Sequence, residues 1–396
     1  MGSIPTITIE DIQAAAARIN VHRTPVLTSS TLNKIASTNS NWPMELYLKC
    51  EPLQKTGSFK IRGATNAVNL LSNSEAAKGV VTHSSGNHAQ ALAKAALDRG
   101  IPAYVVMPNN APQVKKEAVR GYGGTVIECE PTLEAREKTA DKVIQETGAT
   151  LIHPFNNVNV MAGQGTVALE LITQTNEQGA VLDGLITPVG GGGLTSGCAV
   201  AAKSIGTNIY VFGAEPESVN DTYRSFYHRG QQNDDDDTHS GHHQRKASTS
   251  SSPPTLSSPG SLSLSKVTAA VADHHQRCLA QRQCNPVGAT SVADGLLTNV
   301  GELTFPLLMS HVDGVYTVTE KQIVDAMYLV WSRVKLCIEP SAAVSLAVAL
   351  YNEDFHRMVR EKHLKRIGLV LSGGNVDHAR AVSLFEKYQV NGAGDS

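Results

Sequence analysis

Lys60, in the run Ser58-Phe59-Lys60-Ile61-Arg62-Gly63-Ala64, is a candidate nucleophile. Thr56-Gly57-Ser58 reads as a turn and helix cap, and Phe59 to Leu71 reads as the helix it opens. Lys60 then lies in the first turn, where the positive end of the peptide dipoles disfavours an ammonium, and beside apolar Phe59. Field and shielding both push its pKa down, and a neutral lysine amine is the form that makes Schiff bases with carbonyls. A lone lysine at a helix start is ordinarily only solvated. Three further segments argue against that here.

Thr187-Pro188-Val189-Gly190-Gly191-Gly192-Gly193-Leu194 follows an apolar strand and precedes a small-residue helix. Consecutive glycines at such a turn let backbone N–H groups converge on an anion at the helix N-terminus. The cluster lacks the G-x-G-x-x-G spacing of a dinucleotide site, so a single phosphate fits better. His83-Ser84-Ser85-Gly86-Asn87-His88 likewise joins a strand to a helix, and its hydroxyls, amide and free N–H groups suit a carboxylate. Ile367 to Leu371 is a third apolar strand, ending in Ser372-Gly373-Gly374-Asn375, whose serine could face a ring nitrogen.

In this order the motifs S-F-K-I-R-G-A, S-S-G-N-H, G-G-G-G-L and S-G-G-N resemble the fold-type II pyridoxal-phosphate (PLP) enzymes. Within them the chain is similar to the serine/threonine dehydratase and serine racemase branch, over nearly all of its length except residues near 229–284. The resemblance implies that Lys60 carries the cofactor covalently, with Phe59 packed beside it. It implies Asn87 on the phenolic oxygen, Gly190, Gly191, Gly192, Gly193 and Leu194 around the phosphate, and Ser372 on the pyridine nitrogen. Ser84, Asn87 and His88 would hold the substrate carboxylate, with Arg136 near it, and Ser85 would be the second acid/base and part of the same loop.

The implied fold is α/β, like the tryptophan synthase beta chain: two doubly wound parallel-sheet domains with the active site between them. The large one would comprise residues 1–76 and 157–396 and the small one 77–156. The implied activity is a serine racemase that is also an L-serine/L-threonine dehydratase, giving D-serine and pyruvate plus ammonia. Ser85 favours two-base chemistry, since plain threonine dehydratases of this resemblance commonly carry alanine there. A threo-3-hydroxyaspartate dehydratase giving oxaloacetate is the alternative, because Arg136 could serve a second carboxylate. A β-replacement synthase would be expected to show N-P-x-x-S-x-K and T-S-G-N-T instead, and a non-catalytic PLP-binding protein need not keep both Lys60 and Ser85. Phe155 departs from the polar residue of animal serine racemases.

Glu215 and Asp221, six residues apart with a carbonyl between them, offer hard oxygen ligands. The resemblance implies Mg²⁺ or Ca²⁺ here, since racemase-like relatives hold such an ion at the positions matching Glu215, the Val219 carbonyl and Asp221. They also bind ATP as an effector at a subunit interface of a homodimer; Ser29, Ser30, Lys55, Thr56, Gln90, Lys115 and Tyr122 fall at matching places.

The 396 residues suffice for two domains, and 41% hydrophobic with 18% charged residues is a globular composition. A net charge of −2 gives no electrostatic case for nucleic acid or an anionic membrane. No apolar run reaches membrane-spanning length and no signal-peptide layout opens the chain. Six scattered cysteines without metal spacing read as reduced thiols of a cytoplasmic protein. Strands near 79–83, 101–107, 124–128, 184–189, 209–214, 314–318 and 366–371 alternate with helices, as in parallel sheets. Residues 229–284, with four consecutive aspartates and a Ser/Pro/Thr stretch, read mostly as a disordered surface insertion. The short stretch after Asn375 leaves no expected effector domain for isoleucine control.

Overall fold

The computed structural model describes residues 6–206, 208–227, 276 and 278–390. Most of the expected insertion lies outside them. Its last stretch is described and is pinned down: Gln283 donates its N–H to Ser225 Oγ at 2.8 Å, and Arg224 donates to the Cys284 carbonyl at 2.9 Å.

Along the chain come β1 (Val26–Leu27) and β2 (Glu45–Cys50), then β3 (Val80–His83), β4 (Ala103–Pro108), β5 (Thr125–Cys129) and β6 (Thr150–Leu151). After them come β7 (Gly184–Pro188), β8 (Tyr210–Pro216), β9 (Gly314–Val318) and β10 (Arg366–Leu371). Two sheets result: a six-stranded one ordered β1-β2-β10-β7-β8-β9 and a four-stranded one ordered β5-β4-β3-β6. Among the described residues every strand pairing is parallel except β1 with β2. The protein thus has two parallel-sheet α/β domains.

The sequence dictates this directly. Strands covered by helices on both faces read as continuous apolar runs, and β7, β8 and β10 are buried along nearly their whole length. The helix Pro340–Tyr351 is apolar all round and buried from Pro340 to Leu350, so it packs inside the large domain rather than on it. β2 escaped the sequence reading because Lys49 interrupts it; in the fold that lysine is fully buried, held by Glu170, Gln174 and the Thr24 carbonyl at 2.7–2.8 Å. No helix among the described residues is long and apolar enough to cross a membrane.

Each motif occupies the carboxyl end of a strand. β3 runs into Ser84, β7 into the glycine run, and β10 into Ser372, while β2 leads through Glu51 to Lys60. Ligands of parallel sheets bind at this edge, because successive loops emerge there together with helix N-termini.

Candidate active site

Lys60 is the first residue of the helix Lys60–Asn69. The expected cap is not there: Phe59 occupies the N-cap, no side chain caps the helix, and Ser58 Oγ is buried without a partner. The segment is held through backbone instead. Phe59 N–H donates to the Ser372 carbonyl at 3.1 Å, Gly374 N–H donates to the Gly57 carbonyl at 2.8 Å, and Ser58 pairs with Gly373. Lys60 is thereby tied to the Ser372 loop, from over 300 residues away in sequence.

The Lys60 amine donates to the Pro154 carbonyl at 3.0 Å and lies 5.1 Å from the Phe59 ring centroid. Part of the residue is exposed, yet burial of the amine lowers its pKa to about 8, against a smaller upward pull from Glu339. Desolvation of the charged form is the cause.

The glycine run opens the helix Gly193–Ile205 with Gly192 as N-cap in the left-handed region (φ 83°) and no side-chain cap. The first helical N–H groups, from Gly193 onward, have no partner within the helix and point into the turn. Side chains are excluded from it: a Cβ on Gly191 would lie 2.3 Å from the Phe155 ring, and one on Gly192 2.8 Å from Thr304 Oγ1. Thr304, which sequence reasoning missed, braces the loop by donating to the Gly191 carbonyl at 2.7 Å and accepting from Gly301 N–H at 2.9 Å.

The helix after β3 begins at Asn87, earlier than its sequence suggests, with Gly86 as N-cap. Ser84, Ser85 and Asn87 are half-buried, and Ser84 Oγ accepts from Gly86 N–H at 3.4 Å. His88 is buried, and its Nε2 lies 3.0 Å from the Ile152 carbonyl. A carbonyl only accepts, so Nε2 carries the proton and the unpartnered Nδ1 carries a lone pair. Burial holds this imidazole neutral, with its pKa lowered to about 3. The expectation that His88 holds a carboxylate therefore narrows to its backbone N–H; the ring presents the wrong polarity. His153, lowered to about 4 by burial and by His83, accepts from Phe155 and Asn156 N–H groups. Arg136 is half-buried on the helix Leu133–Thr147, and its charge is felt at His83, whose pKa falls through burial and then this arginine.

Ser372 is buried at the end of β10. Asn375 donates to the Thr56 carbonyl and to Asn87 Oδ1, both at 2.8 Å, and Asn87 donates to Glu339 Oε1 at 2.7 Å. Glu339 was not singled out from sequence, where an acid before Pro340 at a helix start reads as a cap. In the fold its side chain makes no cap bond and turns into the site.

Away from this cluster, Glu215 accepts from Thr222 and Tyr223 N–H groups at 3.2 and 2.7 Å. Asp221 accepts from Asn285 Nδ2 and Val300 N–H, each at 2.8 Å. Glu215, Asp221 and Val219 are buried. Burial first, then the charge of Asp221, raises the Glu215 pKa well above the carboxylate range, and burial raises that of Asp221. Among the described residues no cluster of three or more His, Cys, Asp or Glu side chains stands ready for a metal, so any ion here would lean on this pair and carbonyl oxygens.

Of the positions matched to an ATP site, Ser29 caps the helix Ser30–Ser40, Lys55 Nζ donates to the Asn20 carbonyl at 2.7 Å, and Tyr122 closes the helix Gln113–Gly121. Lys115 faces Asp294 at 3.5 Å, Gln90 is half-buried, and Thr56 is buried with Oγ1 unpartnered.

Residues 18–271 and 258–373 match the family described as Pyridoxal-phosphate dependent enzyme. The chain belongs to that family. Among the family's members, the serine racemase of Dictyostelium discoideum is 45% identical over 379 residues, 95% of this chain and 97% of that one. The beta-hydroxyaspartate dehydratase of Paracoccus denitrificans (strain Pd 1222) is 40% identical, covering 93% of this chain and 96% of its own. The solved structure of the T.th. threonine deaminase superposes with a TM-score of 0.73 at 35% identity, over 94% of this chain and 99% of that one.

The groups at the strand ends fit the family's cofactor. A buried amine of lowered pKa suits its aldehyde, an uncapped glycine turn with no room for side chains suits its phosphate, and buried Ser372 suits its ring nitrogen.

Proposed function

We propose that this PLP-dependent enzyme interconverts L- and D-serine and also removes water from L-serine and L-threonine, releasing ammonia and, from serine, pyruvate. The observation that carries the reading is the Lys60 amine, with its pKa lowered to about 8, on a segment locked by backbone bonds to the Ser372 loop. When bound, pyridoxal phosphate supplies an electron sink that makes the amino-acid Cα acidic.

The chain's own groups then divide the work. Gly190, Gly191, Gly192, Gly193 and Leu194 would hold the phosphate by backbone N–H groups, with Phe59 beside the ring and Ser372 for its nitrogen. Ser84, Asn87 and the His88 N–H hold the substrate carboxylate. Lys60 Nζ takes the Cα proton on one face, and Ser85 Oγ gives or takes it on the other. Return of a proton to the opposite face inverts the centre; departure of the β-hydroxyl with the proton that Lys60 took gives water and an enamine product, whose hydrolysis releases ammonia and the keto acid. The small domain spans 77–156 in this reading, supported by β3 to β6 all lying within it. A product assay across L-serine, D-serine, L-threonine and threo-3-hydroxyaspartate tests the proposal, with Lys60→Ala as the control expected to lose every reaction. Release of oxaloacetate alone would overturn it.

That outcome would favour a second reading, a threo-3-hydroxyaspartate dehydratase. Arg136 supports it, being half-buried and close enough to His83 to lower its pKa, where a second carboxylate would need a cation.

Glu215, Asp221 and the Val219 carbonyl would hold Mg²⁺ or Ca²⁺, an ion that relieves the repulsion of two buried carboxylates and so steadies the native state. An ATP effector on Ser29, Ser30, Lys55, Thr56, Gln90, Lys115 and Tyr122, and a homodimer, belong to the same proposal, and sedimentation with and without ATP tests both. A cytoplasmic setting is supported by the free thiols of Cys50, Cys129, Cys198, Cys284 and Cys337.

A further inference from the structure

The amide of Asn87 can point only one way, and the direction is set from outside the loop that carries it. The carbonyl of Thr56 accepts and cannot donate, so Asn375 turns its Nδ2 toward it at 2.8 Å. The second hydrogen of that Nδ2 goes to Asn87, which must offer its Oδ1, also at 2.8 Å. Asn87 Nδ2 then falls 2.7 Å from Glu339 Oε1, which accepts. Reversing Asn87 would set nitrogen against nitrogen on one side and oxygen against oxygen on the other.

We propose that Glu339 is a positioning residue for the reaction: with Asn375 it locks the Asn87 amide so that its remaining N–H, and never its C=O, faces the cofactor's phenolic oxygen. The inference rests on the reading that pyridoxal phosphate sits on Lys60. Glu339 is itself firmly placed. Its N–H donates to the Gly373 carbonyl at 3.0 Å, and its Oε1 fills the space where a Cβ on Gly373 would lie 2.5 Å away. Gly373 of the S-G-G-N motif thus leaves room for this carboxylate. Burial and then Asp294 raise the Glu339 pKa to about 7, with Asn87, Lys115 and Lys60 pulling the other way. Either protonation state can keep one oxygen as acceptor for Asn87, so the lock does not depend on pH.

A donor on the phenolic oxygen stabilises its anionic form, which is read in the absorbance of the substrate-free holoenzyme as the visible band relative to the near-ultraviolet band. Glu339→Leu removes the acceptor, and the ratio should fall about tenfold, the size of one charge-assisted hydrogen bond. Glu339→Gln should retain the wild-type ratio, because its amide oxygen still accepts from Asn87. Asn375→Asp cannot donate to Asn87 and should match Glu339→Leu; if the leucine variant does not fold, this one decides. An unchanged ratio in Asn375→Asp, or a Glu339→Gln spectrum as altered as that of Glu339→Leu, would overturn the inference while leaving the cofactor reading intact. A wild-type protein without any visible band would overturn both.

Discussion

Arg62 donates twice to Glu51, Nε to Oε2 and Nη2 to Oε1, each at 2.8 Å, with both side chains fully buried. The same guanidinium reaches Glu170 through Nη1 and Nη2 at 2.8 and 2.9 Å, and Lys49 closes the network on Glu170 at 2.8 Å. Two residues before Arg62 stands Lys60, so this network clamps the first turn of the lysine's helix between the end of β2 and the helix Val158–Glu177.

Arg62→Met should destabilise the fold by about 3–5 kcal/mol, because it leaves Glu51 buried with the Thr24 hydroxyl but without its cation. Chemical denaturation of the two proteins measures this. A loss below about 1 kcal/mol would mean that Glu51 finds another partner or water.

Lys60 gives the cofactor-free protein a pH signature. Its pKa falls from 10.5 to about 8 on folding, so between those values the unfolded chain binds more protons and stability rises with pH. Below about 8 the charged amine is a full burden on the fold, at most about 3 kcal/mol given its partial exposure. Cofactor-free Lys60→Met should therefore melt above wild type at neutral pH, and the gap should close toward pH 10.5. A gap that stays constant or widens would contradict a depressed lysine.

Ser85→Ala should depress conversion of L- to D-serine about 10²–10⁴-fold, far more than elimination from an L-substrate. Attack on D-serine should nearly vanish, since its Cα proton points away from the lysine face. Equal losses on both enantiomers would reduce Ser85 to a binding hydroxyl.

Gly191→Ala drives a methyl into the Phe155 ring, 2.3 Å from the new carbon. Cofactor affinity should drop, and Gly191→Ala combined with Phe155→Leu should recover part of it. Strict additivity of the two changes in titrations with pyridoxal phosphate would show that the ring and the loop do not couple.

Glu215→Gln removes the repulsion between two buried carboxylates. Wild type stripped with chelator should melt lower and recover with Mg²⁺ or Ca²⁺, through binding to the native state, while the variant should not respond. Superimposable melting curves with and without chelator would rule the ion out.

Much of this protein is written locally in its chain. Seven strands were legible, the central β7, β8 and β10 because a strand covered on both faces must be apolar throughout, and so were the strand-to-helix turns, marked by runs of glycine and serine at strand ends. Lys60 stood out by its neighbours and by three companion motifs, not by its own environment. What only the tertiary structure decided is the fate of charges and the direction of hydrogen bonds. Lys49, Arg62 and Glu51 look like surface residues in sequence, yet they are fully buried: Glu170 and Gln174, more than 100 residues on, meet Lys49 and Arg62, and Glu51 accepts from Arg62 and Thr24. The polarity of His88 is set by the Ile152 carbonyl, and that of Asn87 by Thr56 through Asn375. Glu339 enters the site because its helix is buried and its side chain leaves its own cap position. Burial and donor–acceptor direction are properties of partners distant along the chain, and no local pattern carries them.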